Sequence, residues 1–128
     1  MSLKVPLSHG DLCDRLTILE IKLCRINDAL KLKAVKKEHE LLANLFYSSF
    51  VVSHALLAQL SLLQAVNEQL WDIEDELRSH ERMKLFDTRF VGLARRVYHL
   101  NDQRAQLKMS INVLCDSPIQ EVKSYEEY

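Results

Sequence analysis

Between Leu7 and Ser117 the chain contains no proline, and its 128 residues hold only two glycines, Gly10 and Gly92. A β-rich chain of this size needs glycine, proline and Asn-Gly pairs at its hairpins, and almost none are present. Apolar residues instead recur at helical spacing: Leu12, Leu16, Leu19, Leu23 and Ile26 advance in steps of four and three. That period places one side chain per turn on a common face. The expected class is therefore all-α.

Local signals divide the chain into about four helices. Ser8 is a good cap for a helix over residues 9–26, and Asp11 in its first turn complements the helix dipole. Asn27-Asp28 marks a break, with Asp28 capping a second helix over 29–47. Ser48 or Ser49 is the expected cap for a third helix over 50–82. The stretch RMKLFDT forms the next connection, and Asp87 or Thr88 caps a fourth helix over 89–115. Ser117-Pro118 ends it, because proline cannot extend the hydrogen-bond ladder. Short connections favour antiparallel neighbours. The reading is an antiparallel bundle over residues 1–116 whose last two helices form a long hairpin, with a short tail over 117–128. Those two helices would be about 50 and 40 Å long, longer than the first pair. Hairpins of unequal length leave apolar surface overhanging, which favours a homodimer.

Composition narrows the function classes. The net charge is -1 and 27% of residues are charged, so no concentrated basic surface calls for nucleic acid. Lys31, Lys33, Lys36 and Lys37 are followed at once by Glu38 and Glu40, the pattern of a solvated helix face. Cys13, Cys24 and Cys115 have no metal-ligand spacing. Within one helix Cys13 and Cys24 would lie about 16 Å apart, whereas a disulfide needs Cα atoms within about 7 Å. Scattered free thiols suit a reducing cytoplasm. Residues 41–67 lack Asp, Glu, Lys and Arg, a length that could span a bilayer. They include ten polar side chains, among them Asn44, Gln59, Gln64 and Asn67, so a bundle helix is expected rather than a membrane span. The opening MSLKVPLSHG lacks the apolar stretch of a secretory signal.

The stretch AVNEQLWDIEDEL (65–77) interrupts this plain picture. The third helix carries the seam Leu56, Leu60, Leu63, Asn67, Leu70, Glu74, Leu77, and the fourth carries Leu93, Val97, Leu100, Arg104, Leu107, Ile111. An amide and a carboxylate break one stripe and a guanidinium breaks the other. If the hairpin turns near Leu85, Asn67 lies level with Arg104 or Asn101, and Glu74 lies level with Arg95 and Tyr98. Lys108 follows on the edge of the fourth helix, Trp71 stands beside Asn67 and Glu74, and Glu20 flanks the seam of the first helix. Two readings follow. Polar residues in a bundle seam fix register and oligomer state. Alternatively, facing helices enclose a polar pocket in which Arg95, Arg104 and Lys108 hold a small anionic, phosphorylated ligand and Glu74 or Glu20 orients it.

Other chemistries find less support. Glu68, Asp72, Asp75 and Glu76 follow one face of one helix, whereas acidic metal sites in bundles draw carboxylates from several. The Glu-x-x-Glu pairs of all-α nucleotide pyrophosphohydrolases are missing. The five histidines form no zinc pattern, and His39 on an apolar stripe reads as a core residue. With two glycines, a phosphate-cradling loop is excluded. No cofactor is implied and no catalytic residue is assigned.

Four blocks carry a resemblance: LTILEIKL (16–23), VNEQLWDIEDELR (66–78), FVGLARRVYHLNDQRAQLKMSIN (90–112) and EVKSYEEY (121–128). Together the chain resembles a small bacterial family of unknown function. The resemblance rests on Thr17, Glu20 and Lys22; on Asn67, Trp71, Glu74 and Asp75; on Asn101, Asp102 and Arg104; and on Lys123, Ser124 and Tyr125. Val122 departs from it, standing where a glutamate is expected. The resemblance implies no activity, cofactor or partner. Its blocks fall on the same polar interruptions that periodicity singles out. The first functional reading is a non-enzymatic, dimeric assembly or adaptor module, and the second is a binder of, or enzyme for, a small anion.

Overall fold

A computed structural model describes residues 2–128. Four helices follow in order: α1 (His9–Arg25), α2 (Ala29–Ser49), α3 (His54–Met83) and α4 (Thr88–Leu114). No strand occurs among the described residues. The class is all-α, as the proline-free interior demands.

Each helix starts at a side-chain cap that accepts a hydrogen bond from an otherwise orphaned backbone N–H. Ser8 accepts from the Asp11 N–H, Asp28 from Lys31, Ser53 from Leu56, and Asp87 from Phe90. The third of these corrects the expectation. Ser48 and Ser49 belong to the last turn of α2, and the break falls at Phe50 to Ser53. Ser48 fails as a cap because its hydroxyl donates back to the Leu45 carbonyl, 3.1 Å away, within the helix. α3 ends on Lys84 in the left-handed region (φ 57°), with the Leu85 N–H returning to the His80 carbonyl at 2.9 Å. α4 ends similarly through Asp116 (φ 52°), and Ser117 N–H bonds the Asn112 carbonyl at 2.8 Å.

α1 packs with α2 and the longer α3 with α4, but the two pairs do not contribute equally to the core. α1 approaches α2, α3 and α4, and α3 pairs with α4, while α2 comes close to α1 alone. The arrangement is a three-helix bundle with α2 laid along its outside. α1 consequently buries two stripes. One is the expected Leu12, Leu16 and Leu19; the other is Gly10, Asp14, Thr17 and Ile21. α2, with one neighbour, buries only Val35 and Phe46.

The core has two apolar compartments. One collects Leu12, Cys13, Leu16, Phe46, Leu56, Leu63 and Ile111. The other, further along the α3–α4 hairpin, collects Val66, Leu70, Ile73, Leu93 and Leu100. Each fully buried leucine, such as Leu56 or Leu63, stabilises the fold by roughly 1.5–3 kcal/mol. Leu107 touches both compartments, and a polar layer lies between them.

A second polar joint locks the end of the bundle, where the start of α1 meets the end of α4. The Gly10 N–H donates to Asn112 Oδ1 at 2.6 Å, and the His9 N–H donates to Ser117 Oγ at 3.3 Å. Two of the orphaned donors of α1 are thus satisfied by residues more than 100 positions away. Asn112 is 2% exposed, so this joint is interior. Gly10 is required there: a Cβ would lie 2.9 Å from the Lys108 carbonyl carbon and closer still to its oxygen.

Candidate functional site

The polar layer is built around a residue that periodicity did not select, Asp14. It is 4% exposed, and a carboxylate so buried must be matched by donors. Arg104 on α4 supplies two: Nε donates to Oδ1 at 2.9 Å and Nη2 to Oδ2 at 2.5 Å. Asn67 on α3 supplies another, its Nδ2 donating to Asp14 Oδ1 at 3.0 Å and to Thr17 Oγ1 at 2.8 Å. Thr17 completes the set by donating its hydroxyl to the Asp14 carbonyl at 2.8 Å. Three helices converge on one carboxylate. Hydrogen bonding to Asp14 is the main reason the Arg104 pKa rises above the ordinary arginine value, with burial working against it.

Asn67 and Arg104 therefore meet, but through α1 rather than directly across the α3–α4 hairpin. Asp14 belongs to the second stripe of α1, in register with Gly10, Thr17 and Ile21 by steps of four, three and four. That spacing was legible. It was masked by the more apolar stripe one turn-edge away.

One turn further along α4, Lys108 is drawn into a neighbouring pair. Its Nζ lies 2.8 Å from Asp11 Oδ1 and 2.7 Å from Glu121 Oε2. Burial disfavours the charged lysine, but the hydrogen bonds to Asp11 and Glu121 outweigh it, and the Lys108 pKa is raised. Glu121 comes from the extended segment after α4. Its second oxygen is 3.1 Å from Lys123 Nζ. Hydrogen bonds from Lys108 and then Lys123 hold the Glu121 carboxyl below its usual range. The Tyr128 hydroxyl donates to Asp102, and its ring meets His99 edge-on at 4.7 Å. The C-terminal segment thus lies back along α4. Between the two is a cavity of about 800 Å³, walled on the α4 side by Tyr98, Asn101, Arg104 and Lys108. Glu121, Lys123, Tyr125 and Tyr128 wall the other side.

The remaining sequence candidates fall elsewhere. Glu74 does not meet Arg95 or Tyr98. Its carboxylate binds Arg78 one turn along α3, Oε2 to Nη1 at 2.5 Å. The reason is rotation. Cross-hairpin pairs are Glu76 with Arg89 and Gln69 with Arg96, which places Glu74 on a different edge of α3. Arg95 is exposed on α4, and Trp71 is half-buried away from the cavity. Glu20 faces the other way, its Oε1 3.7 Å from His39 Nε2 on α2. Of the nine candidates, Asn67, Arg104 and Lys108 take part in the polar layer and its extension, while Tyr98 and Asn101 join Arg104 and Lys108 on the cavity wall. The tail residues Glu121 and Lys123 were missed as partners, since nothing in periodicity says where an unstructured segment will lie.

On α3 the acidic face is engaged or solvated rather than clustered: Asp72 pairs with Arg25 at 2.6 Å and Glu76 with Arg89. Among the described residues no three His, Cys, Asp or Glu side chains converge as a metal site would require. None of the helices of the described residues is long and apolar enough to cross a membrane.

A family model, "Family of unknown function (DUF6165)", matches residues 3–128. No curated protein and no solved structure matches the chain.

Proposed function

For a chain that belongs to this family of unknown function, we propose the role of a non-enzymatic assembly module that works as a homodimer in the bacterial cytoplasm. Its self-association surface is the charge-free region formed by the end of α2 and the first half of α3. One observation carries this reading. From His54 to Ala65, every exposed position of α3 is uncharged: His54, Ala55, Leu57, Ala58, Ser61, Leu62 and Ala65. A helix face that met only water would carry Lys, Glu or Arg there. Leu57 and Leu62 are 48% and 53% exposed. The end of α2 and the linker add Leu41, Leu45, Tyr47 and Val51, likewise exposed.

Two further arguments favour a second copy as the occupant. A face without charge can meet itself across a two-fold axis without opposing like charges, and the alanines and serine let two helices approach closely. The amount of surface also fits. A compact monomer of 14.9 kDa exposes about 7,000 Å², whereas this chain exposes 9307 Å². The surplus has the size that each partner of an obligate dimer buries. The polar layer around Asp14 supports the same reading from the other side, since its carboxylate draws donors from α3 and α4 and fixes the register of α1, α3 and α4. Three free cysteines, with Cys24 exposed, are consistent with a reducing compartment.

Sedimentation equilibrium at micromolar concentration tests the proposal. The expected result is a dimer that Ala58→Glu and Leu62→Glu convert to a helical monomer, because both positions are exposed in the single chain. A wild-type monomer, or a dimer indifferent to both substitutions, would overturn it.

A further inference from the structure

Arg104 is gripped from behind. Asp14 takes its Nε and one Nη2 hydrogen, leaving the Nη1 amino group and the outer Nη2 hydrogen without a hydrogen-bond partner among the described residues. The side chain is 31% exposed and stands in the wall of the cavity between α4 and the tail. A guanidinium oriented by a buried carboxylate, with donors to spare and a place in a cavity wall, is a preorganised anion receptor. Lys108 stands one turn away along the same wall.

The anion now beside Lys108 is one that the chain supplies itself. Glu121 sits between Lys108 and Lys123 at 2.7 and 3.1 Å. It belongs to a segment, 118–128, that has no backbone–backbone hydrogen bond to the helices among the described residues; the Ser117 hydroxyl donates to the Ile119 carbonyl at 2.7 Å, and side-chain contacts hold the rest. The direct pairs are Asp14 with Arg104, Asp11 with Lys108, and Glu121 with both Lys108 and Lys123. Lifting Glu121 takes the paired carboxylate from Lys123 and leaves Lys108 with Asp11, beside Arg104 on the same wall. Asp102 and Glu126 also line the space, and Asp102 is occupied by the Tyr128 hydroxyl. These carboxylates disfavour a ligand with charge spread over its body. They tolerate one whose charge is concentrated in a single head group. The other walls are the rings of Tyr98, Tyr125 and Tyr128, which suit the flat face of a ring.

We propose that the space between α4 and the C-terminal segment binds a small phosphate monoester with a neutral ring body, its phosphate replacing the Glu121 carboxylate among Arg104, Lys108 and Lys123. The dianionic phosphate outcompetes the monoanionic carboxylate, and the ring lies against the tyrosines. Glu121 then acts as an intramolecular competitor that keeps the site closed to weaker anions.

The test is titration of the full-length protein with phenyl phosphate and, separately, inorganic phosphate, followed by calorimetry and by the NMR signals of the Arg104 side chain. Glu121→Gln should bind phenyl phosphate about tenfold tighter than wild type, the effect of one charged competitor contact. Lys123→Met should bind it about tenfold weaker. Both positions lie outside the core, so circular dichroism should show unchanged helix content. Equal affinities for wild type and Glu121→Gln, or no saturable binding by Glu121→Gln at millimolar phenyl phosphate, would overturn the site. Inorganic phosphate binding as tightly as phenyl phosphate would overturn the ring half of the proposal. None of these outcomes depends on whether the chain dimerises.

Discussion

Arg104 and Asp14, 90 residues apart in sequence, share a two-pronged ion pair that divides the hydrophobic core into two compartments. The pair spans the contact between α1 and α4, and Asn67 ties α3 to the same carboxylate oxygen. A core held at one level by three helices cannot slide by a turn without stranding a buried charge. That is the physical content of a register device.

Breaking the pair on one side should be worse than removing both halves. Asp14→Ala leaves Arg104 unpaired and Asn67 with Thr17 as its remaining acceptor. The expected loss is about 3 kcal/mol, the low end for a buried pair because Arg104 keeps some contact with water. The double substitution Asp14→Leu with Arg104→Met should lose less than Asp14→Ala alone, since no uncompensated charge remains. Urea denaturation of the three proteins checks this. A loss below about 1 kcal/mol for Asp14→Ala would show that the layer contributes no more than a surface pair.

The two glycines should respond in opposite directions to alanine. At Gly10 a Cβ collides with the Lys108 backbone and lies 3.0 Å from Asn112 Oδ1, so α1 must move away from α4. Backbone atoms cannot rotate aside as a side-chain tip does, and a loss of about 1–3 kcal/mol is expected. Gly92 is an exposed position inside α4 with nothing within 4 Å of an added Cβ. Alanine there should stabilise by about 0.5–1 kcal/mol through reduced chain entropy in the unfolded state. Thermal or chemical unfolding of both variants gives the signs directly; a stabilised Gly10→Ala would mean that the α1–α4 approach is looser than described.

The cysteines should separate by reactivity. Cys24 is exposed, whereas Cys13 is fully buried. Burial, followed by the fields of Cys115 and Asp14, pushes the Cys13 thiol up to about 12, so almost no thiolate exists near neutrality. Burial raises the Cys115 pKa as well. In the folded protein at pH 8 an alkylating reagent should modify Cys24 first, and Cys13 only after denaturant is added. Peptide mass mapping over time distinguishes the sites. Rapid labelling of Cys13 in native buffer would show that the first core compartment opens readily.

Legibility in the sequence followed the range of the interactions. Caps at Ser8 and Asp28 were readable because each is decided within one turn of its own helix, whereas the same rule left Asp87 and Thr88 both open at the fourth, where the structure uses Asp87. The cap at Ser53 was not, since Ser48, Ser49 and Ser53 are all cap-type residues and a rule acting within one turn does not choose among them. The polar interruptions at Asn67 and Arg104 were visible against their leucine neighbours. Their shared acceptor was not, because two helical stripes on α1 were both plausible and only the number of helices around α1 makes both of them interior.

Spacing and turn chemistry alone therefore determined that the chain is helical, where two of its four caps lie, and that α3 and α4 carry polar groups in an apolar seam. Tertiary structure alone decided that α2 stands outside a three-helix core, that Asp14 is the residue on which the polar groups converge, and that Glu121 lies beside Lys108. The reason is physical. Local rules act over the few residues of a helical turn, whereas a buried carboxylate is defined by whichever donors the folded chain brings to it, from any distance along the sequence.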